Sequence, residues 1–269
     1  MVFSTHVEVT PGLHLAFTTT TAGNLAFHVT GRPVAPGGAG SDPADLDAAQ
    51  RARLQAEVRG RRRALDRVMG VPAGRTEYLE QIHSAHVVTA RGTGWGEGPV
   101  TERADARVSP TGQDPMAIMV ADCLPVVFVS QGASGAGDWA GPTAVAHAGR
   151  RGLLDGVLEA TVDRLHAEGA GRGSGQIQAW IGPAICGRCY EVPEWMYQAS
   201  VERIPAVAAQ TSWGTRALDL AAGAARILAE RGVDVHQTGD CTREDRRFFS
   251  HRRAPGEGRL AGLVWRSAR

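Results

Sequence analysis

Lysine is missing. All 29 basic side chains of the 269-residue chain are arginine, set against 28 acids for a formal charge of +1. Its absence excludes a Schiff-base lysine, a pyridoxal attachment point, a lysine general base and a Walker-A lysine beneath a phosphate chain. The small net charge argues against a nucleic-acid binder that works by phosphate neutralisation. Long apolar runs are missing too: none nears the roughly 18–20 residues that cross a bilayer. The opening MVFSTHVEVT has neither the basic nor the apolar part of a signal peptide. Cysteine is scarce: Cys123, Cys186, Cys189 and Cys241 are too few to staple a chain of this length. These absences predict a cytoplasmic protein with no membrane segment, and nothing in the sequence calls for an obligate protein partner.

What is present suits a large core, since 43% of residues are apolar. His6–Thr10 and Leu13–Thr20 have strand character, and residues 31–43 (GRPVAPGGAGSDP) form a surface loop without periodicity. A helix capped by Asp45 or Asp47 follows, with Leu54, Val58, Leu65 and Met69 on one face, and Gly70-Val71-Pro72 ends it. From Glu77 onward strands and helices alternate. Met116–Val129 contains two apolar strands broken by a bend at Asp122–Pro125, because a central strand cannot donate through proline. Thr143–Ala148 is a short buried strand feeding a helix in which Leu154, Val157, Leu158, Thr161 and Leu165 share a face. Gln176–Ile181 is a strand, Leu220–Leu228 a helix closed by Gly232, and Leu260–Trp265 a terminal strand. With no repeat and no composition shift, one α/β domain over residues 1–269 is the simplest organisation.

Three strand ends carry borderline metal ligands: His83 in QIHS, Cys123 in ADCL and His147 in AHAG. One cysteine and two histidines suit zinc and leave a fourth position for water or substrate. His86 lies three residues from His83, so on a strand only one of them faces inward, and His83 is the choice. The same residues support a thiol hydrolase, with Cys123 as nucleophile, a histidine as base, and Asp105 or Asp122 available to orient it. Cys186-Gly187-Arg188-Cys189 is a lone C-x-x-C, too little for a redox or zinc assignment, and Cys241 has the setting of a buried small residue. Arg59–Arg63 reads as a solvated helix face from which one guanidinium can turn toward phosphate.

The segments LEQIHSAHVV, ADARVS, VADCLPVVF, AVAHAGRRGL, IGPAICGRCYEV and DCTREDRRFFSHRR…GR occur in an order that resembles the bacterial YfiH-type family. These proteins are labelled multicopper polyphenol oxidases or laccases, and also peptidoglycan editing factors. The resemblance runs from about Leu79 to Trp265. It implies an α/β domain with mixed sheets and flanking helices, similar to cysteine-hydrolase toxins. It also implies a zinc enzyme that cleaves adenosine, inosine or methylthioadenosine with phosphate and deaminates adenosine. Its ligand positions fall on His83, Cys123 and His147. The laccase label fits poorly, because paired H-x-H motifs for four coppers are absent and the chain has nine histidines.

The N-terminal part departs from the family. Phe17–Leu25 has lost most of a Thr-Arg-x-Gly-Gly-Val-Ser loop, although Asn24 and His28 still match. Val58-x-x-Arg61-Arg62-x-x-Leu65 resembles the family's V-x-x-N-R-x-x-L, which assigns phosphate to Arg62, and AHAGWRG has become AHAGRRG at Arg150. The partners implied are a purine nucleoside and phosphate, held by Arg62, Asn24 and Arg150, with Arg252 a further candidate. A Cys123 thiol hydrolase or peptidoglycan-precursor editor, and a non-catalytic metal- or nucleotide-binding protein, stand as alternatives.

Overall fold

A computed structural model describes residues 1–31, 43–94, 102–132, 139–171 and 176–267. The expected loop at 31–43 therefore lies outside the described residues, apart from its ends Gly31 and Pro43. In chain order the strands are β1 (Phe3–Thr10), β2 (Leu13–Thr18), β3 (Val87–Thr89), β4 (Ala106–Ser109), β5 (Met116–Val120) and β6 (Leu124–Ser130). They continue with β7 (Thr143–Ala148), β8 (Ile177–Ile181), β9 (Ala208–Gln210), β10 (Arg216–Leu218), β11 (Asp234–Gln237) and β12 (Leu260–Arg266). The helices are α1 (Ala48–Met69), α2 (Arg150–Leu154), α3 (Val157–Ala167), α4 (Glu194–Arg203) and α5 (Leu220–Glu230).

A four-stranded antiparallel sheet, β1-β2-β12-β5, faces a six-stranded mixed sheet, β11-β8-β6-β7-β4-β3, and β9-β10 form a separate hairpin. Strand alternation sorts the core into layers. Leu15 and Phe17, Met116 and Ile118, and Val127 and Val129 meet between the two sheets. On the outer side of the larger sheet, Val126 and Phe128 pack against α3 and α5 through Val162, Leu165, Ala224 and Leu228. On the outer side of the smaller sheet, Met119, Leu263 and Trp265 pack against Leu65 and Met69 of α1. With both faces covered, β6 and its neighbours read as continuous apolar runs. The α/β class with mixed sheets and flanking helices is the one anticipated.

Several elements differ in detail from the sequence-based expectations. Asp47, not Asp45, caps α1 through a reciprocal capping box with Gln50, and Gly70 closes that helix in the left-handed region. The expected single helix through Leu154 and Leu165 is broken: α2 stops at Leu154, and Gly156 at φ +91° starts α3. The bend after β5 occupies Ala121–Cys123, while Pro125 lies inside the central strand β6 opposite His147. Its carbonyl accepts from Gly182, one residue past the end of β8, so the missing donor falls beyond that ladder. The stretch from Leu79 to His86 is largely loop, with β3 beginning only at Val87.

β4 runs beside β7 and is fastened by a buried ion pair. Arg107 bonds Glu77 and Glu102, and Glu77 also accepts from the amides of Arg91 and Thr93. Glu77 and Arg107 are 2% and 4% exposed. Removing one member leaves a desolvated charge without compensation, at a cost of about 3–5 kcal/mol. Glu77→Ala should therefore lower the urea midpoint by that much stability with an unchanged m-value; a loss below about 1 kcal/mol would contradict a structural role for the pair.

Candidate metal centre

Asp105 immediately precedes β4, and its side chain is fully buried. One oxygen accepts from the His83 amide at 2.9 Å and meets His147 Nδ1 at 2.8 Å. The other accepts from the Ser84 amide at 2.6 Å and the Ser84 hydroxyl at 2.8 Å. Burial works to raise this carboxyl, but the bonds from His147 and Ser84 outweigh it and hold it down at about 2. The ionised carboxylate fixes the N–H of His147 on Nδ1, leaving Nε2 to face the cleft. Through the backbone it also shapes the loop at His83, which sits at φ +58°.

Three donors converge. His147 lies near the end of β7, Cys123 lies at the bend entering β6, and His83 lies on the loop that Asp105 anchors. Cys123 Sγ is 3.8 Å from His83 Nε2, and the two imidazoles meet edge-on with centroids 4.7 Å apart. One ligand atom from each of the three residues falls within 4.8 Å of the others. Gly149 makes this approach feasible: a Cβ there would come within 2.7 Å of His83 Cδ2 and 3.0 Å of Cys123 Sγ. The bend itself is held by Asp122, a non-glycine residue at φ +85°. Its carboxylate accepts from Thr242 Oγ1 and from the Arg252 amide, both at 2.6 Å.

Electrostatics hold the cluster as a thiolate beside an imidazolium, whose proton a bound cation would displace. Burial pushes the Cys123 thiol up, yet the His147 imidazolium and bonds from both histidines bring it down to about 6. Burial likewise lowers His147, but the Cys123 thiolate and Asp105 raise it to about 9. A soft thiolate beside two imidazoles, one with its far nitrogen engaged by a carboxylate, is a donor set that fits zinc with one position open. His86 faces elsewhere and meets the Arg103 carbonyl.

The open side leads into a two-lobed cleft. One lobe, about 250 Å³, is walled by His28, Gln81, Met119 and Arg259 beside the three ligands. The other, about 150 Å³, is walled by Arg150, Ile185, Tyr190 and Arg252, and both lobes share Ala121, Cys123 and His251. His28 shows an open edge to solvent, yet its ring is sunk deep enough for desolvation, aided by Arg259 and Arg62, to hold it at about 4. A larger cleft of about 340 Å³ lies between Thr30 and α1, but no His or Cys lines it, so the chemistry selects the smaller one.

Of the expected substrate contacts, Arg150 lines the cleft. The structure gives Arg62 and Asn24 a different place, beneath its wall. Arg62 is 1% exposed; its Nε donates to the Leu25 carbonyl, and its guanidinium stacks on Tyr78 at 3.7 Å and Phe27 at 4.5 Å. A guanidinium buried in that sandwich does not face a phosphate in the cleft. Asn24, 3% exposed, bridges the Ala26 and Arg259 backbones and so positions Arg259, a cleft residue that sequence reasoning passed over. Tyr190 was passed over as well. Asp105 was one of two candidate orienters, and the 2.8 Å contact with His147 selects it.

An α/β protein with an open Cys/His cluster that could hold a metal ion is the class that this fold and site define. The chain belongs to the multi-copper polyphenol oxidoreductase laccase family, whose profile matches residues 38–267. It is 43% identical over 198 residues to a purine nucleoside phosphorylase of Streptomyces coelicolor, covering 73% of this chain and 77% of that one. Against a purine nucleoside phosphorylase of Streptomyces griseus it is 37% identical over 258 residues, 96% of each chain. The solved Bacillus licheniformis YfiH shares the fold, with a TM-score of 0.72 at 20% identity over 97% of this chain and 99% of that one. The anticipated YfiH-type resemblance is thereby shown. Among the described residues, two of the nine histidines join a cluster of metal-ligating geometry. No helix among those residues is long and apolar enough to cross a membrane.

Replacing the carboxylate while keeping its shape tests the centre. Asp105→Asn should weaken zinc binding by about 10–100-fold, the usual loss when a histidine ligand's orienting partner is removed. Competition against a chromophoric chelator measures it; unchanged affinity would remove Asp105 from the centre.

Proposed function

We propose that this chain is a zinc-dependent purine nucleoside phosphorylase, converting a purine nucleoside and phosphate to free base and ribose 1-phosphate, with adenosine deamination as a second activity. The observation that carries the proposal is the joining of the Cys123–His83–His147 cluster to a cleft edged by Arg150, Arg252 and Arg259. The curated relatives named as purine nucleoside phosphorylases support it. His83, Cys123 and His147 would hold the zinc, which supplies Lewis acidity at the position they leave open.

The remaining chemistry is assigned to the chain. The arginines hold phosphate behind the anomeric carbon, where planar guanidinium groups grip two oxygens and offset its charge. A phosphate oxygen bonds C1′ as the C1′–N9 bond breaks, and the purine leaves with that electron pair and takes up a proton. His28 and His251 border the departing base; burial and neighbouring arginines lower both imidazoles, so they stay neutral at pH 7 and can donate or accept. Tyr190, stacked under the Arg252 guanidinium at 5.1 Å, offers a flat face to the purine. In deamination, water attacks C6 of adenosine, the C6–N6 bond breaks, and the amino group leaves as ammonia to give inosine. Cytoplasm is the compartment proposed, since it keeps the four free thiols reduced.

One observation favours a second reading. Without a metal, Cys123, His147 and Asp105 form a nucleophile, base and orienter, the arrangement of a thiol hydrolase.

Adenosine, inosine and methylthioadenosine, each incubated with and without phosphate, separate these. Free base and ribose 1-phosphate should form only with phosphate, and Cys123→Ala should abolish turnover together with the zinc held beside His83 and His147. Activity retained in zinc-free protein would instead support the thiol reading. Arg252→Ala should raise KM for phosphate by about 10–100-fold, matching a lost charge-assisted bond of about 1.5–3 kcal/mol; an unchanged KM would remove Arg252 from the phosphate site.

A further inference from the structure

Two short turns outside the cleft carry a repeated pattern: Cys186-x-x-Cys189 and Cys241-x-x-Glu244. The backbone holds them side by side. Ala184 donates to Asp240 at 3.2 Å, Thr242 donates to Ala184 at 3.0 Å, and Ala184 and Cys241 form a bridge between the segments. Within the first turn Cys189 donates to Cys186, and within the second Asp245 donates to Cys241. The Cys186 amide points at Cys241 Sγ at 3.5 Å, the amide-to-sulfur contact that supports a thiolate. Cys189 Sγ stands 3.3 Å from Glu244 Oε1.

The four ligand atoms all lie within 4.8 Å of one another. A tetrahedral zinc ion with Zn–S bonds of about 2.3 Å holds its donors about 3.8 Å apart, so a small contraction closes the set. We propose that Cys186, Cys189, Cys241 and Glu244 bind a second, structural zinc ion, with the protein filling every position. Three thiolates exclude magnesium and calcium, which prefer oxygen ligands. Cys189 and Cys241 are 4% and 7% exposed, and Glu244 closes the solvent side. Binding exchanges one Zn²⁺ for the thiol protons, which pass to buffer. Three thiolates and a carboxylate leave the loaded site negative. Arg188, 3.7 Å from Glu244 Oε2, and Arg243, bonded to the Cys189 carbonyl at 3.2 Å, lie close enough to offset it.

A disulfide-exchange role for Cys186 and Cys189 fits less well. Cys189 is 4% exposed with its Sγ against Glu244 Oε1, whereas an exchanging pair needs a thiol that another thiol can reach. The site's position gives it a purpose instead. The first turn bears Ile185 and Tyr190 at its ends, and the second leads into His251 and Arg252, so the ion would clamp two walls of the second lobe to each other.

Elemental analysis of the full-length protein, purified under reducing conditions, separates this site from the first. Wild type should carry about two zinc ions per chain, and Cys123→Ala and Glu244→Gln about one each. Zinc-free Cys123→Ala with wild-type circular dichroism would overturn the second site. One ion in wild type and one in Cys123→Ala would uphold it while sinking the first. Cobalt titration of metal-free Cys123→Ala provides the check should Glu244→Gln fail to fold: a strong thiolate-to-cobalt band is expected, and its absence overturns the proposal. A thiol count in denaturant showing a Cys186–Cys189 disulfide in the purified protein would overturn it too.

Discussion

One buried carboxylate organises the centre. Asp105 receives the His83 and Ser84 amides and the His147 ring, so a single ionised group sets the positions of two donors on separate elements. An unpaired carboxylate in so dry a place would be prohibitively unfavourable. The loop amides that satisfy it thus have their conformation dictated by it, including the left-handed backbone at His83. The third donor depends on a second carboxylate, Asp122, which ties the Cys123 bend to the Thr242 and Arg252 segment. The geometry of the cluster and the shape of the cleft are thereby coupled through two aspartates.

The three residues of the cluster were legible in the sequence because each interrupts an apolar or small-residue segment at a strand end, where a polar group without a task would be unfavourable. Asp105 was visible only as a candidate, since ADARVS gives no sign of which way its carboxylate points. Arg62 lies deeper than its neighbours for a physical reason. Arg61, Arg62 and Arg63 read as a solvated run, yet Arg62 stands four residues after Val58 and three before Leu65, so helical periodicity turns it inward. Stacking on Tyr78 and Phe27 makes that burial tolerable for a cation. The break at Gly156 escaped notice because the apolar period runs on across it. The edge strand β11 and helix α4 bury too little to leave a hydrophobic signature.

An all-arginine complement changes the character of the cleft. Arg150, Arg252 and Arg259 approach it from α2, from the segment after Phe249 and from the residue before β12. Each carries a planar, permanently charged head with several donors, whereas lysine would bring a hydrated point charge able to lose its proton when buried.

The position of β12 has a consequence for how the protein is made. This strand is inserted between β2 and β5, and Ala261 bonds Thr18 across 243 residues of sequence. The four-stranded sheet thus lacks its centre until nearly the whole described chain has left the ribosome. At about 5–20 residues per second, some 7–30 seconds separate the synthesis of Cys123 from that of Leu260. The cluster residues His83, Cys123 and His147 are all translated in advance of Arg252 and Arg259. A nascent chain therefore exposes the Cys123 thiol and both imidazoles before the cleft that will enclose them exists.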